Sequence, residues 1–283
     1  MAEVATFATS DQLLVVIDPV ARHTDGESVR IAKDVLSAGA ATKVCMPEGP
    51  EEFARALQRR GSRRPVVVGD DRALVRAVSL LHRQRELAGC ALSVVPVGAG
   101  LSLAGALGVP TGTVAAARAV LEGVERRMDV LVDDSDGVVL GTLRIPSLPP
   151  SGGAGELEER PWRRTYHSLV RTLVPARPAP VPSGLGPSRL RVEVDGVTLV
   201  DLDQPVDDVS VTPHGSGTAT VEVHQTSEPS PLLARGNRIT VSGTDFRYRA
   251  DTTEAGPVRH KTWTVRQNAL GLILPTKNME SAL

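Results

Sequence analysis

Two short loops carry the residue types that could do chemistry here. Val68-Gly69-Asp70-Asp71-Arg72 follows the apolar run Pro65-Val66-Val67. Pro96-Val97-Gly98-Ala99-Gly100-Leu101-Ser102-Leu103-Ala104 follows Leu92-Ser93-Val94-Val95. A strand running into a glycine-containing loop exposes backbone N–H groups, and phosphate is the anion such loops hold. Gly69, Gly98 and Gly100 are the positions where a phosphate could approach the main chain. Asp70 and Asp71 offer carboxylate oxygens of the hard kind that Mg²⁺ takes, and Arg72 offers a guanidinium that fits a phosphate. Asp18, at the end of the earlier run Gln12-Leu13-Leu14-Val15-Val16-Ile17, is a third carboxylate. Each also has a plain structural role. Asp70 suits a helix N-cap after a strand, Asp18-Pro19 a strand-end turn, and Gly98 and Gly100 a tight turn. Arg72 suits a solvated helix start.

Composition narrows the classes. The chain has 283 residues, enough for two cores. Its net charge of −1 gives no electrostatic footprint for nucleic acid. Three Phe, two Trp and two Tyr are too few for base-stacking platforms, so no nucleic-acid partner is expected. Cys45 and Cys90, with no metal spacing and no secretory leader, read as reduced core residues of a cytoplasmic protein. No apolar run approaches the ~20 residues that span a bilayer. The six histidines show no zinc spacing, and neither a Gly-x-Ser-x-Gly elbow nor a complete P-loop is present.

These loops must be positioned by the elements around them. Apolar runs at 12–18, 42–46, 66–69 and 92–95 predict buried strands. Helical spacing predicts helices at 28–36, 51–60, 72–85 and 114–123, with strand resuming at 127–132. Strands alternating with helices predict a parallel α/β sheet whose ligand site lies beyond the carboxyl ends of its strands. Nine of the 21 prolines then fall between 146 and 187 with the patch Ser151-Gly152-Gly153-Ala154-Gly155, which predicts a linker. Within it, Trp162 to Val174 has the spacing of an amphipathic helix that would pack on the protein or lie on an anionic bilayer. After 188 the period becomes two. Leu190–Val194, Val209–Val211, Thr220–Val223, Arg238–Val241, Phe246–Arg249 and Thr262–Val265 predict an antiparallel β region, with turns such as Asp195-Gly196 and His214-Gly215. The expected organisation is an α/β domain at 1–145, a linker at 146–187 and a β-rich domain at 188–283.

The order of these pieces resembles the diacylglycerol kinase catalytic family, which is related to NAD kinases. Asp18-Pro19 is similar to the Asn-Pro ending that family's first strand, and Val68-Gly69-Asp70-Asp71-Arg72 to its Gly-Gly-Asp-Gly-Thr. Pro96 to Ala104, followed by Leu107-Gly108-Val109-Pro110, resembles its Pro-x-Gly-Thr-x-Asn-Asp-Phe-Ala loop and Leu-Gly-x-Pro turn. Met128-Asp129-Val130-Leu131 looks like its Val-Asp-Leu-Gly strand. Tyr248-Arg249-Ala250-Asp251 looks like its late strand leading to Asp-Gly-Glu, and Ala269 to Pro275 like its closing strand.

The resemblance implies a two-domain fold, an N-terminal nucleotide-binding α/β domain with a C-terminal antiparallel β domain, and an ATP- and Mg²⁺-dependent lipid kinase. It places the cofactor-binding candidates at Asp18, Gly69, Asp70, Asp71, Arg72, Gly98 and Gly100, with Asp70 as the candidate metal ligand. The departures bear on the chemistry. Asp71 and Arg72 add bulk, and Asp71 adds an anion, where the motif has Gly and Thr. Ala99, Leu101 and Ser102 replace Thr, Asn and Asp. Ser216-Gly217-Thr218-Ala219 stands where the family has a catalytic acid in Asp-Gly-x-Leu. General-base loss alone costs roughly 10²–10⁴-fold. The first expectation is therefore a non-catalytic or regulatory homologue binding nucleotide or a lipid head group, with a lipid or membrane surface and a second copy of the chain as partners. Alternatives are a working kinase in which Asp70 and Asp71 jointly hold Mg²⁺, and an interaction module with the cleft closed by Leu101 and Leu103.

Overall fold

The computed structural model describes residues 12–145 and 188–276. The Trp162–Val174 helix expected from the sequence lies outside these residues. The chain opens with β1 (Gln12–Ile17), α1 (Pro19–Thr24), α2 (Gly26–Gly39), β2 (Ala41–Cys45), α3 (Pro50–Gln58) and β3 (Arg64–Gly69). It continues with α4 (Asp71–Arg83), β4 (Ala91–Pro96), α5 (Ser102–Ala106) and α6 (Thr113–Glu122). The strands pair in parallel in the order β2-β1-β3-β4. Both faces of this sheet are covered, which is why its strands read as continuous apolar runs. Leu14, Val16 and Val67 face Phe53 and Leu57 of α3 and Leu74 and Leu81 of α4. Leu13, Val15, Ile17, Val66 and Val68 face Leu36 of α2 and Ala117 and Val120 of α6. The expected strands and helices of this half are all present. The two shortest helices, α1 and α5, are the ones the periodicity does not announce, because five or six residues cannot display an amphipathic repeat.

The remaining strands are β5 (Val124–Asp133), β6 (Val138–Val139), β7 (Leu143–Ile145), β8 (Ser188–Val194), β9 (Val197–Val200) and β10 (Pro205–Pro213). They are followed by β11 (Ala219–Gln225), β12 (Leu232–Gly236), β13 (Arg238–Ala250) and β14 (Thr253–Leu274). Pairing among them is antiparallel. Alternation is clear in β11, where Ala219, Val221 and Val223 are buried and Thr220, Glu222 and His224 face outward. Asp195 and Gly196 both take positive φ, 51° and 84°, as a two-residue hairpin turn requires. Trp263 is fully buried at the centre of this core, with Tyr248 edge-on at 5.2 Å.

Hydrogen bonding divides the chain differently from composition. β5 pairs with β14, β6 with β5, and β7 with β10 and β13, so 124–145 is built into the antiparallel half rather than the parallel one. Leu131, Val139, Leu143 and Ile145 accordingly sit in the Trp263 core. Met128–Val132 is an unbroken apolar run apart from Asp129, and such a run carries no record of which sheet it joins. The halves are stitched again at Gly271 and Leu272 of β14, which pair in parallel with Ala91 and Leu92 of β4. Among the described residues no helix is long and apolar enough to cross a membrane.

Candidate functional site

The carboxyl ends of β1, β3 and β4 finish at one level. The Asp18 amide donates to the Val68 carbonyl at 2.9 Å, and the Val97 amide donates to the Gly69 carbonyl at 3.0 Å. Both loops singled out by sequence therefore meet here, with Asp18 beside them. A Cβ on Gly69 would lie 2.7 Å from Ala73 Cβ and 2.9 Å from Asp18 Cβ, so glycine is required by the protein's own packing. Gly98 has φ +118°, a conformation open to glycine and rarely to other residues, and it faces Asp70. Gly100 is exposed, with open space around it.

Most of the carboxylate oxygens are engaged. Asp18 is buried; it caps α1 by accepting from the Val20 amide at 2.9 Å and pairs with Arg76 Nη1 at 2.6 Å. Arg76 in turn lies over the Phe53 ring, 5.6 Å from its centroid. Asp70 Oδ1 accepts from the Ala73 amide at 3.0 Å, the geometry of an N-cap on α4. Asp71 is buried and reaches across to α5. Its Oδ2 accepts from the Leu103 amide at 2.8 Å and from Ser102 Oγ at 3.3 Å, and its Oδ1 from the Ala104 amide at 2.9 Å. The Asp71 amide itself donates to the Gly100 carbonyl at 2.8 Å. Arg72 is exposed and joins none of the ion pairs among the described residues.

These contacts have a common cause. α5 begins after Leu101, whose side chain cannot cap it. The orphan N–H groups of that first turn still need acceptors. Asp71 supplies them from the neighbouring helix.

A cavity of about 240 Å³ opens beyond Asp71, between α5 and the antiparallel half. Asp71, Ser102, Leu103 and Ala106 form one wall; Gly141, Thr142, Arg144, Arg249 and Asp251 form the other. Leu103 is buried and Leu101 half-buried, yet they leave this space open. Asp251 sits at φ +50° and ties β13 to the 140–142 turn. Its Oδ2 accepts from the Leu140 amide at 2.7 Å, and its Oδ1 from the Gly141 and Thr142 amides at 2.8 and 3.1 Å. Burial pushes the Asp251 carboxyl above the usual carboxylate range; the three amides pull it back and the nearby Asp71 charge adds to the rise. In the sequence Asp251 shows only as the end of a strand. Arg144 and Arg249 gave no signal, because only strand register brings residues so far apart in sequence together.

The Ser216-Gly217 stretch lies elsewhere. The Gly217 amide donates to Asp129 Oδ2 at 2.6 Å, and the Asn268 amide to Asp129 Oδ1 at 2.8 Å. Asp129 is thus a buried clamp between β5, the loop before β11 and the irregularity in β14.

The side chains do not fit a shared Mg²⁺ at Asp70 and Asp71. One carboxylate turns to its own helix, and the other turns to α5 with both oxygens hydrogen bonded. Among the described residues no group of three or more His, Cys, Asp and Glu is arranged to hold a metal ion.

Residues 12–132 match the diacylglycerol kinase catalytic domain. Over these residues the chain is similar to the diacylglycerol kinase catalytic-domain family. Solved structures agree with this in fold across nearly the whole chain. A diacylglycerol kinase from Bacillus anthracis str. Sterne is similar with a TM-score of 0.68 at 13% identity, covering 95% of this chain and 98% of that one. A further structure from the same organism, of a candidate diacylglycerol kinase, gives a TM-score of 0.67 at 14% identity, covering 93% and 97%. At such identity the likeness concerns the fold alone. No curated protein matches the sequence. The family match ends at 132, so it includes both glycine-containing loops and Asp18.

Proposed function

We propose that this protein is a non-catalytic member of the diacylglycerol kinase family, with the family's two-domain layout, whose cleft binds a lipid head group without phosphorylating it. The observation that carries the reading is Asp71. Where the family's loop has glycine, this chain has a buried carboxylate locked onto the Leu103 and Ala104 amides. Phosphoryl transfer depends on phosphates and metal being positioned and electrostatically supported. An immobile anion at the head of α4 opposes this, since like charges repel strongly in a partly desolvated cleft. Asp18 is paired with Arg76, and Asp70 Oδ1 is engaged as a cap. The cleft is nevertheless open, which favours a binding role over a closed interaction module. Access to a head group implies working at a membrane surface.

A thermal-unfolding titration with ATP and Mg²⁺ tests the reading. Ligand at about 100 times its Kd adds roughly 2.7 kcal/mol of stability. The expected result is no rise in Tm at millimolar ATP. A rise that disappears in Asp70→Ala would overturn the reading in favour of a working nucleotide site.

A further inference from the structure

β7 and β13 set two arginines side by side at the cleft. Arg144 is the register partner of Arg249 in an antiparallel pair. Opposed residues on one sheet face have Cβ atoms about 4.5–5.5 Å apart, and like charges there are destabilising. Both side chains line the cavity of about 240 Å³ facing α5. Arg144 has the charge of Asp208, on β10, as an electrostatic neighbour. The Nε of Arg249 is shut off from solvent and has no acceptor, a costly condition unless something supplies one. Glu254 stands in register with Arg249 on the far side, so each arginine has a carboxylate in its neighbourhood.

The two carboxylates in the cavity wall do not act as counter-ions. Asp71 is held by the Leu103 and Ala104 amides, and Asp251 by those of Leu140, Gly141 and Thr142. They fix the walls on either side of the arginine pair. Adjacent guanidiniums offer parallel N–H donors that match the oxygens of a phosphate. The open cavity has room for a phosphate and the first atoms of its stem.

We infer that Arg144 and Arg249 form a binding site for a phosphomonoester group, carried by an anionic lipid or present as free phosphate. This rests on the reading that the cleft binds a head group rather than transferring phosphate to it, and it makes the ligand resemble a lipid kinase's product more than its neutral acceptor.

The test uses the full chain, Arg144→Gln, Arg249→Gln and Arg144→Lys. Flotation compares phosphatidylcholine vesicles containing phosphatidate with vesicles of equal charge containing phosphatidylglycerol, a phosphodiester. Thermal unfolding with inorganic phosphate reads the soluble source. The expected result is preference for phosphatidate, weakened about tenfold or more in either glutamine variant, with Arg144→Lys intermediate because it keeps the charge and loses the fork. Protection by inorganic phosphate without vesicle binding, lost in the same variants, supports the site and assigns it free phosphate. Thermal unfolding of each variant without ligand separates lost binding from lost folding. Binding unchanged in both glutamine variants, or no binding of either phosphate source, overturns the site. Label transfer from ATP to diacylglycerol by the wild type would overturn the non-catalytic reading instead, and is scored separately from arginine dependence.

Discussion

Asp71 of α4 caps α5 from outside: its Oδ2 lies 2.8 Å from the Leu103 amide nitrogen, and Oδ1 lies 2.9 Å from that of Ala104. A cap normally comes from the residue preceding the helix. Here that residue is Leu101, which has no acceptor. Asp71 thus supplies the acceptor that Leu101, 30 positions further along the chain, lacks.

If this relationship holds α5 in place, Asp71→Ala lowers stability by about 1–3 kcal/mol through the lost cap and the unpaired amides. Asp71→Asn, which keeps one acceptor, loses less. Urea unfolding measures both. An Asp71→Ala midpoint equal to wild type would show that the cap contributes nothing.

The buried Asp18 depends on Arg76, whose side chain is about one-third exposed. Arg76→Met removes the partner and leaves a carboxylate with only the Val20 amide, an expected loss of about 1–3 kcal/mol, discounted for solvent access. Asp18→Asn combined with Arg76→Met should cost less than the sum of the single changes by more than about 1 kcal/mol. Additive losses would mean that the pair is not coupled.

Gly69 and Gly100 should behave oppositely. Gly69→Ala drives a Cβ into Ala73 and Asp18, at an expected cost of about 1–3 kcal/mol. Gly100→Ala meets open space and should stay within about 0.5 kcal/mol. Equal effects at the two positions would contradict the packing described for Gly69.

Asp208 of β10 supplies a pH dependence. Its Oδ1 is buried without a partner. Burial raises the carboxyl's pKa, Arg144 and His224 pull it down, and Glu222 adds to the rise. An unfolded aspartate titrates near ~3.9. The folded form holds its proton to higher pH, so this contribution to stability is full below that value and fades as pH rises through the folded pKa. Asp208→Asn should flatten the stability profile just above pH ~4 and be at least as stable as wild type at neutral pH. Parallel urea profiles from about pH 4 to 7 for the two proteins would refute this.

Much of this architecture is legible in the sequence, for local reasons. The runs at 12–18 and 66–69 announce buried strands because both sheet faces are covered. Alternation in Thr220–Val223 announces a one-sided strand. The convergence of the Gly69 and Gly98 loops follows from parallel strands sharing one carboxyl end. What is hidden is long-range. Nothing near Met128–Val132 says that it pairs with β14 rather than the parallel sheet. Asp71 reads as a candidate ligand because its partners, the Leu103 and Ala104 amides, lie across a helix–helix contact. Arg144 and Arg249 become a pair only through register between strands separated by more than a hundred residues.

Label incorporation measures directly whether the cleft transfers phosphate. The purified full chain is incubated with radiolabelled ATP, Mg²⁺ and diacylglycerol in mixed micelles, beside an Asp70→Ala control. The expected result is no labelled phosphatidate above that control. Labelled product that depends on Asp70 would contradict the account and make this protein a working lipid kinase.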